Sequence, residues 1–169
     1  MGAYCMVVLG IDPGFATIGY GVIEELNGVK RTLDYGAIKT PKELTFPERL
    51  CLIERGVQTL IEKFKPDEIA LEELFFNTNI TTGINVAHAR GVIVATCYKN
   101  CQELFEYTPL QIKQALTGYG RAEKKQIQYM TANLLGLAKI PRPDDAADAL
   151  AVALTHLNTK RFAPSFGIK

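Results

Sequence analysis

Val7-Val8-Leu9-Gly10-Ile11-Asp12-Pro13-Gly14 is an apolar run that ends in one carboxylate and then in two turn residues. Val and Ile favour strands, and a short run that is apolar at every position suits a strand covered on both faces, in mid-sheet. Pro13 cannot continue a hydrogen-bonded ladder and Gly14 permits a sharp turn, so the strand delivers Asp12 to the edge of the sheet, desolvated but not sealed in. A side-chain cap of the turn would use the same residue. This stretch alone balances the two roles evenly.

Downstream, Ile18-Gly19-Tyr20-Gly21-Val22-Ile23-Glu24 predicts a second strand, Asn27-Gly28 a tight hairpin, and residues 32–38 a third strand, which together make an antiparallel meander. Thr45, Pro47 and Glu48 mark a helix start with a capping box. Leu50, Ile53, Val57, Leu60, Ile61 and Phe64 follow at helical spacing, as for a helix packed on a sheet. Ile69-Ala70-Leu71 is a fourth strand that again runs into acid, at Glu72 and Glu73. A solvated strand end would account for one Glu. Two acids beside buried residues and directly before Leu74-Phe75-Phe76 need a partner.

Residues 80–98 predict a helix whose small residues, Gly83, Ala87, Ala89, Gly91 and Ala95, suit close approach to a sheet, and Leu104-Phe105-Glu106-Tyr107 a fifth strand parallel to the fourth. A short helix carrying Lys113 follows, then a break at Gly118-Tyr119-Gly120. Arg121-Ala122-Glu123-Lys124-Lys125 opens a helix with Ile127, Met130, Leu134 and Leu137 as its apolar positions. Gly-Tyr-Gly-Arg lacks the GK[ST] ending of a phosphate loop and follows a helix instead of a strand, so it is not an ATP site.

Composition bounds the function. With 169 residues, 47% hydrophobic and 22% charged, and no linker, repeat or low-complexity segment, the expectation is one globular domain over residues 1–169. No apolar run approaches the ~18 residues of a membrane span and no signal-like start is present, which points to a cytoplasmic protein without a membrane partner. Cys5, Cys51, Cys97 and Cys101 have neither disulfide-framework nor zinc spacing and are expected as reduced, mostly buried thiols. Net charge is only +1, but basic residues gather between Lys99 and Arg142. That stretch is the candidate polyanion-facing surface, although a solvated basic face is the commoner meaning of such a run.

The last helix weighs most. Ala146-Ala147-Asp148-Ala149-Leu150-Ala151-Val152-Ala153-Leu154 consists of strong helix formers and is apolar all round except at Asp148, so it is a buried helix. At about 100° per residue, Asp145 and Asp148 share a face. Asp144 suits the N-cap. That role does not explain Asp148: a lone carboxylate in a buried helix costs several kcal/mol unless it is protonated, paired or bound to a cation, and this segment supplies no Lys or Arg. A metal accounts for both acids together.

Asp12, Glu72, Asp145 and Asp148 thus form an all-oxygen candidate set for catalysis and metal binding, suited to Mg²⁺ or Mn²⁺ more than to Zn²⁺. Two such ions support in-line hydrolysis of a phosphodiester. Lys113, Arg121, Lys124 and Lys125 would then hold phosphates, and Phe75 and Phe76 would stack on or wedge between bases, unless they belong to the core.

These motifs, Gly10-Ile11-Asp12-Pro13-Gly14, Ala70-Leu71-Glu72-Glu73-Leu74-Phe75, Ala89-Arg90-Gly91, Ala122-Glu123-Lys124 and Asp145-Ala146-Ala147-Asp148-Ala149-Leu150-Ala151, resemble the RuvC family of Holliday-junction resolvases in order and spacing over nearly the whole chain. The resemblance implies an α/β, RNase H-like fold with a five-stranded mixed sheet, antiparallel over its first three strands and parallel in the remainder, flanked by helices. It implies a homodimeric Mg²⁺-dependent endonuclease that nicks four-way DNA junctions symmetrically in recombination and repair, working with RuvA and RuvB. By position Asp12, Glu72, Asp145 and Asp148 match the family's catalytic acids, Lys113 and Lys124 its important basic residues, and Phe75 an aromatic near the junction centre. Glu73 stands where the family often has Gln and is the second choice as a ligand. The rival expectations are an actin-like phosphate-binding domain, disfavoured by length and by the Asp-x-x-Asp pair on the last helix, and a branched-DNA binding module that does not cut, disfavoured because an acid cluster repels DNA unless a cation is present.

Overall fold

The computed structural model describes residues 5–74, 80–159 and 167–168, with side chains of 80–82 left aside. Five strands, β1 (Cys5–Asp12), β2 (Thr17–Leu26), β3 (Val29–Lys39), β4 (Glu68–Glu72) and β5 (Leu104–Tyr107), form one mixed sheet in the order β3-β2-β1-β4-β5. The expected meander holds: β1–β2 and β2–β3 are antiparallel, while β1–β4 and β4–β5 are parallel. At the first hairpin Asn27 and Gly28 both take positive φ, 51° and 84°, as a type I′ turn requires. The opening strand is the central one.

Alternation along β1 sorts its side chains onto two cores. Leu9 and Ile11 join Ile53, Val57, Ile69 and Leu71 under α1 (Phe46–Phe64) and α2 (Ile80–Asn100). Met6 and Val8 face the other way, with Ala70, Phe105 and Tyr107, toward α5 (Asp144–Thr159). A strand apolar at every position is therefore one that feeds two layers. α1 starts as expected: Glu48 accepts hydrogen bonds from the Thr45 N–H and hydroxyl, both at 2.7 Å. It ends at Lys65 in left-handed conformation before Pro66.

α3 (Pro109–Thr117) and α4 (Lys124–Leu134) connect β5 to α5. Pro109, expected only to stop β5, is the first residue of α3; Thr108 caps it and exchanges hydrogen bonds with Gln111. The buried face of α4 also differs from expectation. It comprises Ile127, Gln128, Thr131 and Ala132, while Leu134, the last residue of the helix, is exposed; the helix begins at Lys124, not at Arg121. Periodicity was carried by too few apolar residues to phase it.

The close helix-to-sheet approach belongs to α5, not to α2. Ala87, Gly91 and Ala95 are exposed on α2. On β1 and β2, by contrast, a Cβ added at Gly10 would lie 2.2 Å from the Ala149 carbonyl oxygen, one at Gly19 2.0 Å from that of Asp145, and one at Gly21 2.6 Å from Leu150 Cγ. Backbone meets backbone there, which only glycine permits. Residues 149–154 of α5 are accordingly buried without exception. The cysteines are free, but Cys5 and Cys51 are exposed, at the tip of β1 and on the outer face of α1; only Cys97 is fully buried. Among the described residues no helix is long and apolar enough to cross a membrane.

Candidate active site

Three elements converge at the edge of the sheet where β1 and β4 end. Asp12 has the same parity as Met6 and Val8, and Glu72 the same as Ala70, so both carboxylates leave their strands on the α5 side. Asp12 pairs with Gly19 across the ladder. Because Gly19 has no side chain, the first turn of α5 settles on it, and that contact sets Asp145 beside Asp12. Asp148 lies one turn further on.

The electrostatics follow from that crowding. Burial, then the charges of Glu72, Asp148 and Asp145, push the Asp12 carboxyl up to about 8. Burial and Asp148 push Glu72 to about 7, although Asp12 hydrogen-bonds to it. Asp148 is raised by burial as well, against the opposing pull of Lys124. Four acids held at one edge repel one another unless protons or a cation intervene. The repulsion and the all-oxygen donor set fit a hard divalent cation. Among the described residues no three of these side chains converge on one point; their contacts are made in pairs, Asp12 with Glu72 and Asp148 with Lys124.

Lys124, at the start of α4, places Nζ 2.5 Å from Asp148 Oδ2. Burial would lower its pKa, but the bond to Asp148 and the surrounding carboxylates outweigh that and raise it. The partner that the last helix lacks in its own sequence thus comes from 24 residues upstream. Asp144 does not cap α5: it is the first helical residue and pairs with Arg142, while the Pro143 carbonyl receives the N–H groups of Ala146 and Ala147.

A cleft of about 200 Å³ opens beside the acids, lined by Glu72, Pro109, Ile112, Lys113, Lys124, Ile127, Asp148 and Ala151. A second hollow is lined by Asp12, Pro13, Glu72, Glu73, Leu74 and Pro109. Glu72 and Pro109 border both. Lys113 and Lys124 therefore stand at the acids, whereas Arg121 and Lys125 are exposed and line neither hollow. Phe75 lies outside the described residues, as does Phe76. Sequence reasoning missed the apolar wall of Pro109, Ile112, Ile127 and Ala151; the Thr-Pro-x-Gln cap at 108–111 was the available signal for its first member.

Comparison with known proteins bears on the family and the fold. The family model "Crossover junction endodeoxyribonuclease RuvC" matches residues 8–156. The chain is 53% identical to the Crossover junction endodeoxyribonuclease RuvC of Alkaliphilus oremlandii over 97% of this chain and 100% of that protein. It is 49% identical to that of Clostridioides difficile over 92% of each. Its fold superimposes on Thermus thermophilus RuvC, solved in complex with a Holliday junction substrate, with a TM-score of 0.90 at 35% identity, covering 96% of this chain and 99% of that one. The yeast mitochondrial Holliday junction resolvase Ydc2, at 16% identity and a TM-score of 0.68, shares the fold. Match, identity and coverage together make this chain a member of the RuvC family of crossover junction endodeoxyribonucleases.

Proposed function

We propose that the chain, acting as one nuclease domain over residues 1–169, resolves four-way DNA junctions by paired phosphodiester hydrolysis. The observation that carries this reading is the gathering of Asp12, Glu72, Asp145 and Asp148 at one edge of a RuvC-family sheet, close enough for their charges to act on Asp12, with Lys113 and Lys124 at the adjoining cleft. Asp12, Glu72, Asp145 and Asp148 are the groups that would hold Mg²⁺, or Mn²⁺ in its place, probing for two ions being part of the test. When bound, the metal supplies Lewis-acid stabilisation of phosphoryl oxygens and a more acidic water.

The chain's own residues do the rest. Lys113 and Lys124 bind the backbone phosphate on the cleft's basic side and orient it toward the acids. Pro109, Ile112, Ile127 and Ala151 form an apolar wall that limits water on the other side. Arg121 and Lys125, exposed beyond the cleft, extend phosphate contacts along a DNA arm, and Phe75 is assigned to the junction centre by the family pattern alone.

A homodimer would supply the second, symmetrical cut. Ile84, Ala87, Gly91, Ala95 and Tyr98 follow one another at helical spacing on the exposed side of α2, an apolar stripe with small residues that suits a second copy of the same helix. Cooperation with RuvA and RuvB and a cytoplasmic location rest on the family pattern. The test is incubation with a synthetic four-way junction, a plain duplex and an RNA–DNA hybrid, with and without Mg²⁺ or Mn²⁺, titrated to resolve one or two metal equivalents. Metal-dependent paired nicks in the junction alone support the reading; cutting of the hybrid, or binding without cutting, overturns it.

A further inference from the structure

The far end of α5 holds a polar cluster that the hydrolytic site does not use. His156 is fully buried, with its ring 4.5 Å from that of Phe105. Its Nδ1 lies 2.7 Å from the Tyr107 hydroxyl, and its Nε2 is hydrogen-bonded to the Glu68 carboxylate. Thr159 Oγ1, 3.3 Å from the Tyr107 oxygen, extends the chain by one member. A carboxylate only accepts, so Nε2 donates to Glu68; in the neutral ring Nδ1 then accepts from the Tyr107 O–H.

The placement of this cluster is what gives it meaning. Glu68 and Glu72 are the first and last residues of β4 and project on the same face, about 13 Å apart at the usual strand rise. Asp148 and His156 are eight residues apart on α5, about 12 Å along a helix axis. Helix and strand therefore meet at both ends over nearly equal lengths: His156 on Glu68 at one, and Asp148 across the cleft from Glu72 at the other. Between them the contact of α5 with β4 is small and smooth, with Ala70 on the strand and Ala151 and Val152 on the helix; the glycine seats of α5 lie on β1 and β2, so on the β4 side the spacing is left to the bonds at the two ends. Tyr107, paired with Glu72 in the ladder, ties the third element, β5, to the same imidazole.

We propose that Glu68, His156 and Tyr107 are positioning residues that set the spacing of Asp148 from Glu72, and through it the affinity of the site for a divalent cation. The inference rests on the metal-site reading given under Proposed function, and it concerns a bond at the opposite end of the helix from the ligands.

The test is direct Mn²⁺ binding to the full-length, DNA-free protein by titration calorimetry, with the melting temperature recorded for each variant. Glu68→Ala removes the acceptor at a partly exposed position and is expected to weaken Mn²⁺ binding about tenfold, the lower end of what lost outer partners of metal ligands cost. Glu68→Gln keeps an acceptor for Nε2 and should restore most of it. Ile53→Val, in the opposite core, should lower the melting temperature and leave Mn²⁺ binding unchanged. Tyr107→Phe, which keeps the ring, should weaken binding in the same direction and serves if Glu68→Ala does not fold. Parental affinity in folded Glu68→Ala or Tyr107→Phe overturns the inference alone. Failure of the parent protein to bind Mn²⁺ strikes the metal-site reading and this inference with it.

Discussion

Lys124 Nζ sits 2.5 Å from Asp148 Oδ2, so an acid of the last helix is met by a cation from the preceding one. Lys124 is more than half exposed and Asp148 one-fifth exposed, which makes the pair a modest stabiliser, about 0–1 kcal/mol. In the proposed function its chemical value is the greater one, because it would bring a phosphate-binding charge to the acids.

Lys124→Ala should therefore fold normally and bind a four-way junction more weakly, with a shallower salt dependence. Each phosphate contact contributes about 0.9 to the slope of log affinity against log salt on duplex DNA. Gel-shift titrations across a salt series measure it, and an unchanged slope would remove Lys124 from the DNA contact.

Asp12→Asn and Asp148→Asn should keep junction binding and lose cleavage by at least about 10²-fold, the scale of removing one electrostatic stabiliser from a hydrolytic centre. Single-turnover cleavage with Mg²⁺, alongside binding in chelator, separates the two effects. Parental nicking by either variant would withdraw that residue from the site.

Without added metal, stability should fall as pH rises from about 5 to 9. Asp12 and Glu72 titrate near 8 and 7 in the folded chain but near 4 when unfolded, so over this range the folded state binds more protons and deprotonation costs stability. The penalty is complete above about pH 9 and absent below about 4. Melting temperatures across pH should show the decline, and Asp12→Asn or Mg²⁺ should flatten it. A flat profile in the parent chain would mean that the acids do not repel one another as their placement requires.

Gly19→Ala should damage the site more than the fold. The new Cβ would meet the Asp145 carbonyl, and overpacking of this kind costs about 1–3 kcal/mol; relief requires the first turn of α5 to lift, which carries Asp145 away from Asp12. The expected result is a folded protein of lowered melting temperature whose cleavage rate drops by more than that temperature shift accounts for at 25 °C. Equal cleavage by the variant would place the first turn of α5 outside the chemistry.

Gly91→Arg, on the exposed stripe of α2, should yield a monomer by analytical ultracentrifugation and convert paired nicks into single ones. An exposed position with no atom of the described residues within 4 Å of its added Cβ makes loss of folding an unsuitable explanation for that outcome.

Strands, hairpin and capped helix were legible because each rests on local chemistry: β-branched runs, Asn27-Gly28, and Thr45 with Glu48. The placing of Asp12 and Glu72 at strand ends was legible too, because both apolar runs end in acid. Contacts between distant segments were not. Nothing near Asp148 in sequence announces Lys124, and Gly10, Gly19 and Gly21 look like ordinary strand glycines until α5 is laid across them. The small residues of α2 carried the same signal as those glycines, since small residues suit an interface of any kind, and only packing distinguishes a covered face from a bare one. The buried face of α4 was lost for a related reason: Gln128 and Thr131 are buried polar residues, invisible to a search for apolar periodicity.

The seating of α5 on the glycines of β1 and β2 also governs when hydrolytic competence arises during synthesis. Asp12 leaves the ribosome early and Asp148 some 136 residues later, and the helix that bears Asp148 is the element that covers the whole second face of the central strand. Contacts of such long sequence separation form late and together. A nascent chain that still lacks α5 thus leaves the second face of the central strand bare and has not yet brought Asp148 beside Glu72.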